Sequence, residues 1–313
     1  MVSPLIHIGY HKTATSWLQK FVFQNSNASF ICPVPRSLLA HKLIYPNALD
    51  FDSEQCRADL LHETPIEESK SFTMAVSSER LSGNPHSGGY DSKQTADRLK
   101  QVFPNAKILI VIREQKSMIL SVYKQYVRVG GMCSIADYLQ PPEKRRVPLF
   151  DLAHFAYDRL IRHYMGLFGA ANVLVLPYEL FRREPKTFLS SILTFASPGI
   201  NARILEQMPY SRRENSSLSA WTVSIKRRTN FLSARDSVNP WTLIHSPKMK
   251  RVIDQAIVCI DSCTPAGINR WHENRLRTCV SDLVAGRYTR SNVRTSELIN
   301  VDLQQYHYEM SVR

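Results

Sequence analysis

The chain has 313 residues, of which 43% are hydrophobic and 21% are charged, a composition that suits one large α/β domain. No run of about 18 apolar residues occurs, so the sequence offers no candidate transmembrane helix. The formal net charge of +13 favours anionic ligands, and neither a zinc finger nor an RNA-recognition motif accompanies it.

The first predicted element is a short buried strand, followed by a hydroxyl-rich loop and a helix. Leu5, Ile6 and Ile8 form the apolar run, Gly9 breaks it, and Lys12-Thr13-Ala14-Thr15-Ser16 leads into the helix. Backbone amides and the positive end of the helix dipole would converge there, while Lys12 adds a full charge and the hydroxyls add donors. The segment predicts an anion-binding loop that differs from the nucleoside-triphosphate motif G-x-x-x-x-G-K-[ST], because its lysine comes early.

A second buried strand is predicted over residues 69–76, between helices at 52–63 and 92–103. Ser77, Ser78 and Glu79 follow it. Open α/β sheets bind their ligands at the carboxyl ends of strands, so Glu79 is a candidate site residue. The structural alternative is that Glu79 pairs with Arg80 or caps the next turn.

The clearest strand runs over residues 107–112 and ends at Arg113, and a helix carrying Ser121 follows it. Ser121 comes eight positions after Arg113, about two helical turns, so both side chains are predicted to face one anion beyond the end of the strand.

Later elements include a helix over about 151–168, a strand from 172 that leaves through Pro177-Tyr178-Glu179-Leu180, and a helix over 220–231. Tyr178 and Glu179 are interpreted as loop anchors or helix caps. The six cysteines are scattered and are interpreted as reduced and structural. We expect a single domain over residues 1–313, with a helical carboxyl-terminal portion from about residue 200.

The first loop and the Arg113 unit together resemble the family of sulfotransferases that use 3′-phosphoadenosine 5′-phosphosulfate (PAPS), in the bacterial-type branch related to carbohydrate sulfotransferases. The loop follows H-x-G-x-x-K-T-x-T-[ST]-x-L-Q, with Ala14 where the family often has glycine, and Val-Ile-Arg followed by Ser-x-Tyr matches the second unit. The resemblance implies a three-layer α/β fold, a mostly parallel sheet flanked by helices, of the P-loop NTPase-like sulfotransferase type.

The resemblance also implies roles for individual residues. The first loop would hold the 5′-phosphosulfate, Arg113 and Ser121 the 3′-phosphate, and a later polar loop would close over the nucleotide, although a plain solvated loop is an equal alternative there. No metal would be required, and Lys12 would neutralise the leaving oxygens. The implied donor-binding residues are His11, Lys12, Thr13, Ala14, Thr15, Ser16, Arg113, Ser121, Arg212, Arg213 and Asn215.

The expected reaction is sulfuryl transfer to an acceptor hydroxyl, of a carbohydrate or a glycolipid, with Glu79 as the general base and His11 as the alternative base. A P-loop-related kinase and a non-catalytic, basic polyanion-binding protein are the competing hypotheses. Nucleic acid is not an expected partner. The first strand begins within a few residues of the amino terminus, which predicts a cytoplasmic enzyme, or a truncated chain.

Overall fold

A parallel five-stranded sheet in the order β2-β3-β1-β4-β5 forms the centre of the structure, which is a computed structural model. The described residues are 3–25, 30–62, 73–141, 147–196, 204–212, 218–233 and 246–311. The strands are β1 Leu5–His7, β2 Phe30–Ile31, β3 Thr73–Ser77, β4 Lys107–Ile112 and β5 Val173–Pro177. The central strand β1 thus lies between β3 and β4.

Helices connect the strands and make up the chain after β5, where the described residues include no further strand. Two π-helical turns, Gln19–Phe23 and Ala40–Ile44, directly continue α1 and α2. No helix in the described ranges is long and apolar enough to cross a membrane. The α-helices are α1 Thr15–Leu18, α2 Arg36–Leu39, α3 Ser53–His62, α4 Ser92–Val102, α5 Gln115–Arg128, α6 Ile135–Leu139, α7 Tyr157–Phe168, α8 Tyr178–Arg183, α9 Pro185–Ala196, α10 Ile204–Gln207, α11 Ala220–Ser233, α12 Pro247–Cys263, α13 Ala266–Val284 and α14 Thr289–Ile299.

Two hydrophobic cores lie on opposite faces of the sheet. On β4, Ile108, Ile110 and Ile112 belong to the core shared with α4, α5 and α7, whereas Leu109 and Val111 belong to the core shared with α1 and α9. Successive side chains of a strand point to opposite faces, so a strand covered on both sides is apolar throughout. The three-layer α/β fold predicted from the sequence is confirmed.

Three details of the sequence prediction were wrong. The sequence predicts one helix over about 151–168, whereas the structure has a 3-10 turn, Leu152–Phe155, followed by α7. The turn forms because the Asp151 side chain accepts a hydrogen bond from the Ala153 amide, which favours a turn over a helix. The exit from β5 is helical from Tyr178 onward rather than a loop. All six cysteines are free, but three of them are exposed and so have no packing role: Cys133, Cys259 and Cys263.

A buried histidine joins β1 to β3. His7 Nδ1 lies 2.8 Å from Ser77 Oγ, and Gln19 Nε2 donates to Ser77 O at 2.8 Å. A Cβ on Gly9 would lie 2.4 Å from His7 Nε2, so the close approach of the ring requires glycine there. Burial, with a smaller effect of the Arg36 charge, lowers the pKa of His7 to about 3. His7 therefore packs as a neutral side chain at neutral pH.

We predict that acidification destabilises the fold through this histidine. Its pKa is about 3 in the folded state against 6.5 in the unfolded chain, so the unfolded chain binds the extra proton and the free energy of unfolding falls as the pH drops through that window. One such group contributes up to about 1.4 kcal/mol per pH unit. Urea unfolding between neutral pH and about pH 4 should show a shallower pH dependence for His7→Gln than for wild type. The exposed control His41→Gln should keep the wild-type dependence, and equal slopes for His7→Gln and wild type would contradict the prediction.

Candidate functional site

The carboxyl ends of three adjacent strands meet at one edge of the sheet. The loop with Lys12 follows β1, Glu79 follows β3, and Arg113 follows β4. The chain runs from β1 to the β2-β3 side and later returns to β4 on the other side, so this edge contains a topological switch point. Ligands of open α/β sheets bind in the crevice at such a point. Three residues predicted from separate parts of the sequence are thereby brought to one edge.

The loop after β1 is fastened to the neighbouring strand. Ile8 N donates to Leu109 O at 3.0 Å, and Tyr10 N donates to Val111 O at 3.2 Å. The Thr13 hydroxyl donates to Tyr10 O. The hydrogen of this hydroxyl is therefore used within the loop in this structure, and a role of the Thr13 hydroxyl as a donor to an anion stays a prediction.

Two residues of the loop have left-handed backbone conformations. Lys12 has φ 66° and Ala14 has φ 63°, whereas Thr15 begins the helix α1. Such conformations cost a non-glycine residue about 1–2 kcal/mol each, and they concentrate at ligand-binding loops. Alternation of left- and right-handed residues turns successive amides toward one concave face, which suits an anion. Ala14 occupies the N-cap of α1 and makes no side-chain capping bond, so nothing on that residue competes with an anion for the first amides of the helix.

In the described structure, three side-chain atoms of this loop are buried without a hydrogen-bond partner: Tyr10 Oη, His11 Nδ1 and Thr15 Oγ1. Burying a polar atom without a partner costs about 1–3 kcal/mol, so a ligand that supplies one is favoured. Ser16, half-buried in the first turn of α1, is the next hydroxyl along the chain. The orphaned Thr15 hydroxyl and the uncapped helix start fit the phosphate and sulfate oxygens of a PAPS-type donor.

Lys12 lies in a cationic environment. Burial lowers its pKa, and so do the charges of Arg128, Arg113 and Lys124, whereas the charge of Glu79 raises it. Within the described ranges, neither Lys12 nor Arg113 has a carboxylate within ion-pair distance. The positive charges therefore repel one another, and a bound anion would relieve that repulsion.

Arg113 is held from several sides. Its Nη1 donates to Lys12 O at 3.2 Å, and its guanidinium carbon lies 5.2 Å from the centre of the Tyr178 ring. Its own carbonyl accepts from the Tyr157 hydroxyl at 2.6 Å. The next amide, Glu114 N, donates to Glu179 Oε1 at 3.0 Å, and burial raises the pKa of Glu179. Tyr178 and Glu179 thus anchor the end of β4, which agrees with their structural interpretation.

Ser121 is half-buried on α5, but the two-turn argument that linked it to Arg113 was wrong in detail. Arg113 lies before α5 and not within it, because Glu114 is the N-cap of α5 and has an extended ψ of 129°. The Glu114 side chain accepts hydrogen bonds from the amides of Lys116 and Ser117. The described contacts of Arg113 run to Lys12 and Tyr178 and not to Ser121. A shared anion between Arg113 and Ser121 stays a prediction.

Glu79 begins a 3-10 turn, Glu79–Ser82, directly beyond β3. Its Oε1 lies 3.7 Å from Arg36 Nη1, and its Oε2 is buried without a hydrogen-bond partner. Both structural alternatives are contradicted, because Arg80 pairs with Asp91 at 2.8 Å and the Ser78 side chain caps the turn. A buried carboxylate oxygen with no partner is suited to accept a proton from a bound hydroxyl.

His11, the alternative base, is 7% exposed. Burial lowers the pKa of its ring well below the ordinary value, and the charges of His86, His154, Arg80 and Lys12 lower it further. A ring that binds protons so weakly is a poor general base at neutral pH. The structure therefore favours Glu79 over His11 for that role.

The later polar loop is described only in part. Arg212 is exposed, and Arg213 and Asn215 lie outside the described residues. The start of this loop packs against α1, since Trp17 Nε1 donates to Pro209 O at 3.4 Å and the Trp17 ring stacks on Tyr210 at 5.9 Å. This contact places Pro209 and Tyr210 beside α1, and closure of the later loop over a nucleotide stays a prediction.

Sequence reasoning missed several residues around Lys12 and Glu79. Lys124 and Arg128 follow Ser121 by three and seven positions on α5, a spacing that places them on the same helical face and could have identified them. Arg36, the partner of Glu79, carried no such signal. Among the described residues, no group of three or more His, Cys, Asp or Glu side chains is arranged to hold a metal ion.

The left-handed N-cap of α1 yields a prediction. Ala14→Gly should leave the free energy of unfolding unchanged or raise it by up to about 1 kcal/mol, because the relief of backbone strain outweighs the extra entropy of glycine in the unfolded chain. Ala14→Val should lower it by more than about 1 kcal/mol, since β-branched residues tolerate positive φ poorly. Urea unfolding measures both, and a destabilising Ala14→Gly would show that this loop conformation is wrong.

Comparisons with known proteins agree with this geometry. A model of the sulfotransferase family matches residues 4–198. The solved sulfotransferase from Alicyclobacillus acidocaldarius aligns over 98% of this chain and 99% of its own, with a TM-score of 0.58 and 16% identity, which supports the fold alone. Mouse sulfotransferase SULT7A1, solved in complex with PAP, aligns over 87% of this chain and 89% of its own at a TM-score of 0.38 and 14% identity, a likeness too low to argue from. A search of curated proteins finds no match.

The family match covers all five strands together with the loop after β1, Glu79 and Arg113. These are the elements that form the edge described above. The chain therefore belongs to the sulfotransferase family, and it is an enzyme of that family.

Proposed function

We propose that this sulfotransferase transfers the sulfuryl group of PAPS to a hydroxyl group of a carbohydrate or glycolipid acceptor. The observation that carries the proposal is the pairing of Lys12 and Arg113. The loop from β1 and the end of β4 present two cations, joined by the bond from Arg113 Nη1 to Lys12 O, and in the described structure neither cation has a carboxylate within ion-pair distance. PAPS has a phosphate at the 3′ position and a phosphosulfate at the 5′ position of its ribose, and a site with two cations suits a ligand with two such anionic groups.

In this proposal the donor lies across the switch point. The backbone around Thr13, Ala14 and Thr15, with the Ser16 hydroxyl, holds the 5′-phosphosulfate, and Lys12 neutralises its leaving oxygen. Arg113 and Ser121 hold the 3′-phosphate, which distinguishes PAPS from ATP. Arg212, with Arg213 and Asn215, closes over the nucleotide. His11 contributes its buried Nδ1 to the wall of the donor site.

The transfer requires no redox change. The acceptor oxygen forms a bond to sulfur while the bond from sulfur to the bridging oxygen of the donor breaks, and the leaving group is 3′-phosphoadenosine 5′-phosphate (PAP). The Glu79 carboxylate accepts the proton of the acceptor hydroxyl. Negative charge develops on the leaving phosphate, where Lys12 and the loop amides stabilise it. Arg36 Nη1 lies 3.7 Å from Glu79 Oε1, which leaves Oε2 as the oxygen that meets the acceptor hydroxyl. A cytoplasmic location stays a prediction.

Donor specificity is tested by a thermal-shift titration with PAP, ADP and magnesium-ATP. We predict that PAP raises the melting temperature of wild type, because a ligand that binds only the folded state stabilises it by mass action. Arg113→Ala should lose most of this shift, since it removes a charge that binds the 3′-phosphate. The exposed arginine Arg290 on α14 supplies the control Arg290→Ala, which should keep the shift. A larger shift with magnesium-ATP than with PAP would favour the hypothesis of a P-loop-related kinase. Equal shifts with any polyanion, which Lys12→Ala leaves unchanged, would favour a non-catalytic polyanion-binding protein.

The catalytic assignment is tested by transfer from radiolabelled PAPS to a panel of glycans. Glu79→Gln should lower kcat by a factor of about 100 to 10,000, the range expected when a general base is removed, while PAP still raises its melting temperature as in wild type. His11→Gln should retain a much larger share of the activity, because His11 is buried and weakly basic. A nearly inactive His11→Gln beside an active Glu79→Gln would assign the base to His11 instead.

A further inference from the structure

A polar cavity of about 420 Å³ borders the residue that follows the proposed base. One wall is the segment 44–48, which follows the π-helical turn after α2, and the other wall comes from residues 80–94 beyond β3. Arg80 lies in this second wall, one residue after Glu79 in the same 3-10 turn. The cavity is therefore lined by the segment that follows β3, the strand that also leads to Glu79.

The first wall is held rigidly by a buried arginine of α4. Arg98 is 3% exposed, and its guanidinium donates to the carbonyls of Leu43 at 2.9 Å, Ile44 at 3.1 Å and Pro46 at 2.9 Å. Its guanidinium carbon also lies 4.3 Å from the centre of the Phe51 ring. These bonds fix the backbone on both sides of Tyr45, whose side chain nevertheless remains 61% exposed.

The second wall is fixed by a largely buried ion pair. Arg80 Nη2 donates to Asp91 Oδ2 at 2.8 Å, and Asn84 N donates to Asp91 Oδ1 at 3.0 Å. Asp91 is 6% exposed, so this pair is firmly placed. The neighbouring Tyr90 is 68% exposed. Each rigid wall thus carries one largely exposed tyrosine, and the Tyr45 ring packs edge-on against the His41 ring at 5.7 Å.

The chemistry of the lining selects a hydroxyl-rich ligand. Planar amide, carboxylate and guanidinium groups can hydrogen-bond adjacent hydroxyls, and tyrosine rings offer apolar faces with a polar tip. A saccharide presents both hydroxyls and apolar C–H faces, whereas a flat phenol or a steroid would require an apolar slot. The polar lining residues are Tyr45, Asn47, Arg80, Asn84, Tyr90, Asp91 and Gln94.

We propose that this cavity is the acceptor subsite, and that it binds a saccharide unit of the acceptor between Tyr45 and Tyr90 so that a hydroxyl lies at Glu79. The inference rests on the proposed function and adds to it the place and the residues that recognise the acceptor. Arg80 and Asp91 supply the central hydrogen-bonding groups, and the two tyrosines supply contact with the sugar rings.

Saturation-transfer NMR on the PAP-loaded enzyme tests the proposal, with lactose and N,N′-diacetylchitobiose as saccharide probes and 4-nitrophenol as the phenolic probe. We expect at least one disaccharide to bind, and Tyr45→Ala and Tyr90→Ala each to weaken its affinity about tenfold. Tyr90→Phe, which keeps the ring, should bind within about twofold of wild type. Leu49 is 95% exposed just beyond the first wall, so Leu49→Ala is the matched control and should bind as wild type does.

Absence of a disaccharide signal, or equal disaccharide affinity in wild type and both alanine variants, would overturn the proposal. Binding of 4-nitrophenol that weakens on the same tyrosine substitutions would also overturn it, in favour of a phenolic acceptor. The melting temperature and the shift caused by PAP should be unchanged in all four variants, which separates loss of the acceptor subsite from unfolding. If PAP fails to bind wild type at all, the proposed function itself fails, and that outcome is distinct from loss of saccharide binding alone.

Discussion

The hydrogen bond from Arg113 Nη1 to the carbonyl of Lys12 joins the loop after β1 to the end of β4. It holds two like charges near each other, and burial together with the charges of Arg128 and Arg113 lowers the pKa of Lys12. The arrangement persists because both partners are fixed independently. The loop is bonded to β4 through Ile8 and Tyr10, and the backbone at Arg113 is held by Tyr157 and Glu179. The fold thus holds the two cations near each other against their electrostatic repulsion, and a bound anion would relieve that repulsion.

The sheet order divides the site into two sides. The central strand β1 presents Lys12, the β4 side presents Arg113 and α5, and the β3 side presents Glu79. In the proposed reaction the donor occupies the β4 side and the acceptor the β3 side, so the sulfuryl group moves across the end of β1, past Lys12. The polar cavity beside Arg80 continues the β3 side, which gives the acceptor its own walls. In the proposed reaction, a separate segment of chain therefore recognises each substrate.

The sequence could predict the features that depend on local pattern. The apolar runs identified the strands on either side of the switch point, and the pattern around Gly9 identified the loop between β1 and α1 that carries Lys12. It could not predict partners that are far apart in sequence. Glu179 meets Glu114, and Tyr157 meets Arg113, only because β5 and α7 pack beside β4. Nothing near Ala14 in the sequence indicates a left-handed backbone, since that conformation arises from the turn into α1. The break at Ala156, between the 3-10 turn and α7, depends on local hydrogen bonds, and so does the conformation of the loop in which Thr13 bonds to Tyr10. The spacing of apolar residues in the sequence does not reveal such bonds.

The central claim is that one nucleotide, with anionic groups at its 3′ and 5′ positions, spans Lys12 and Arg113. The most direct measurement is a crystal structure of the enzyme with PAP. The account predicts that the 5′-phosphate lies at the start of α1, within hydrogen-bonding distance of the Thr15 hydroxyl and the Lys12 ammonium, and that the 3′-phosphate lies at Arg113 and Ser121. A nucleotide bound elsewhere, or one whose 3′-phosphate does not contact Arg113, would contradict it.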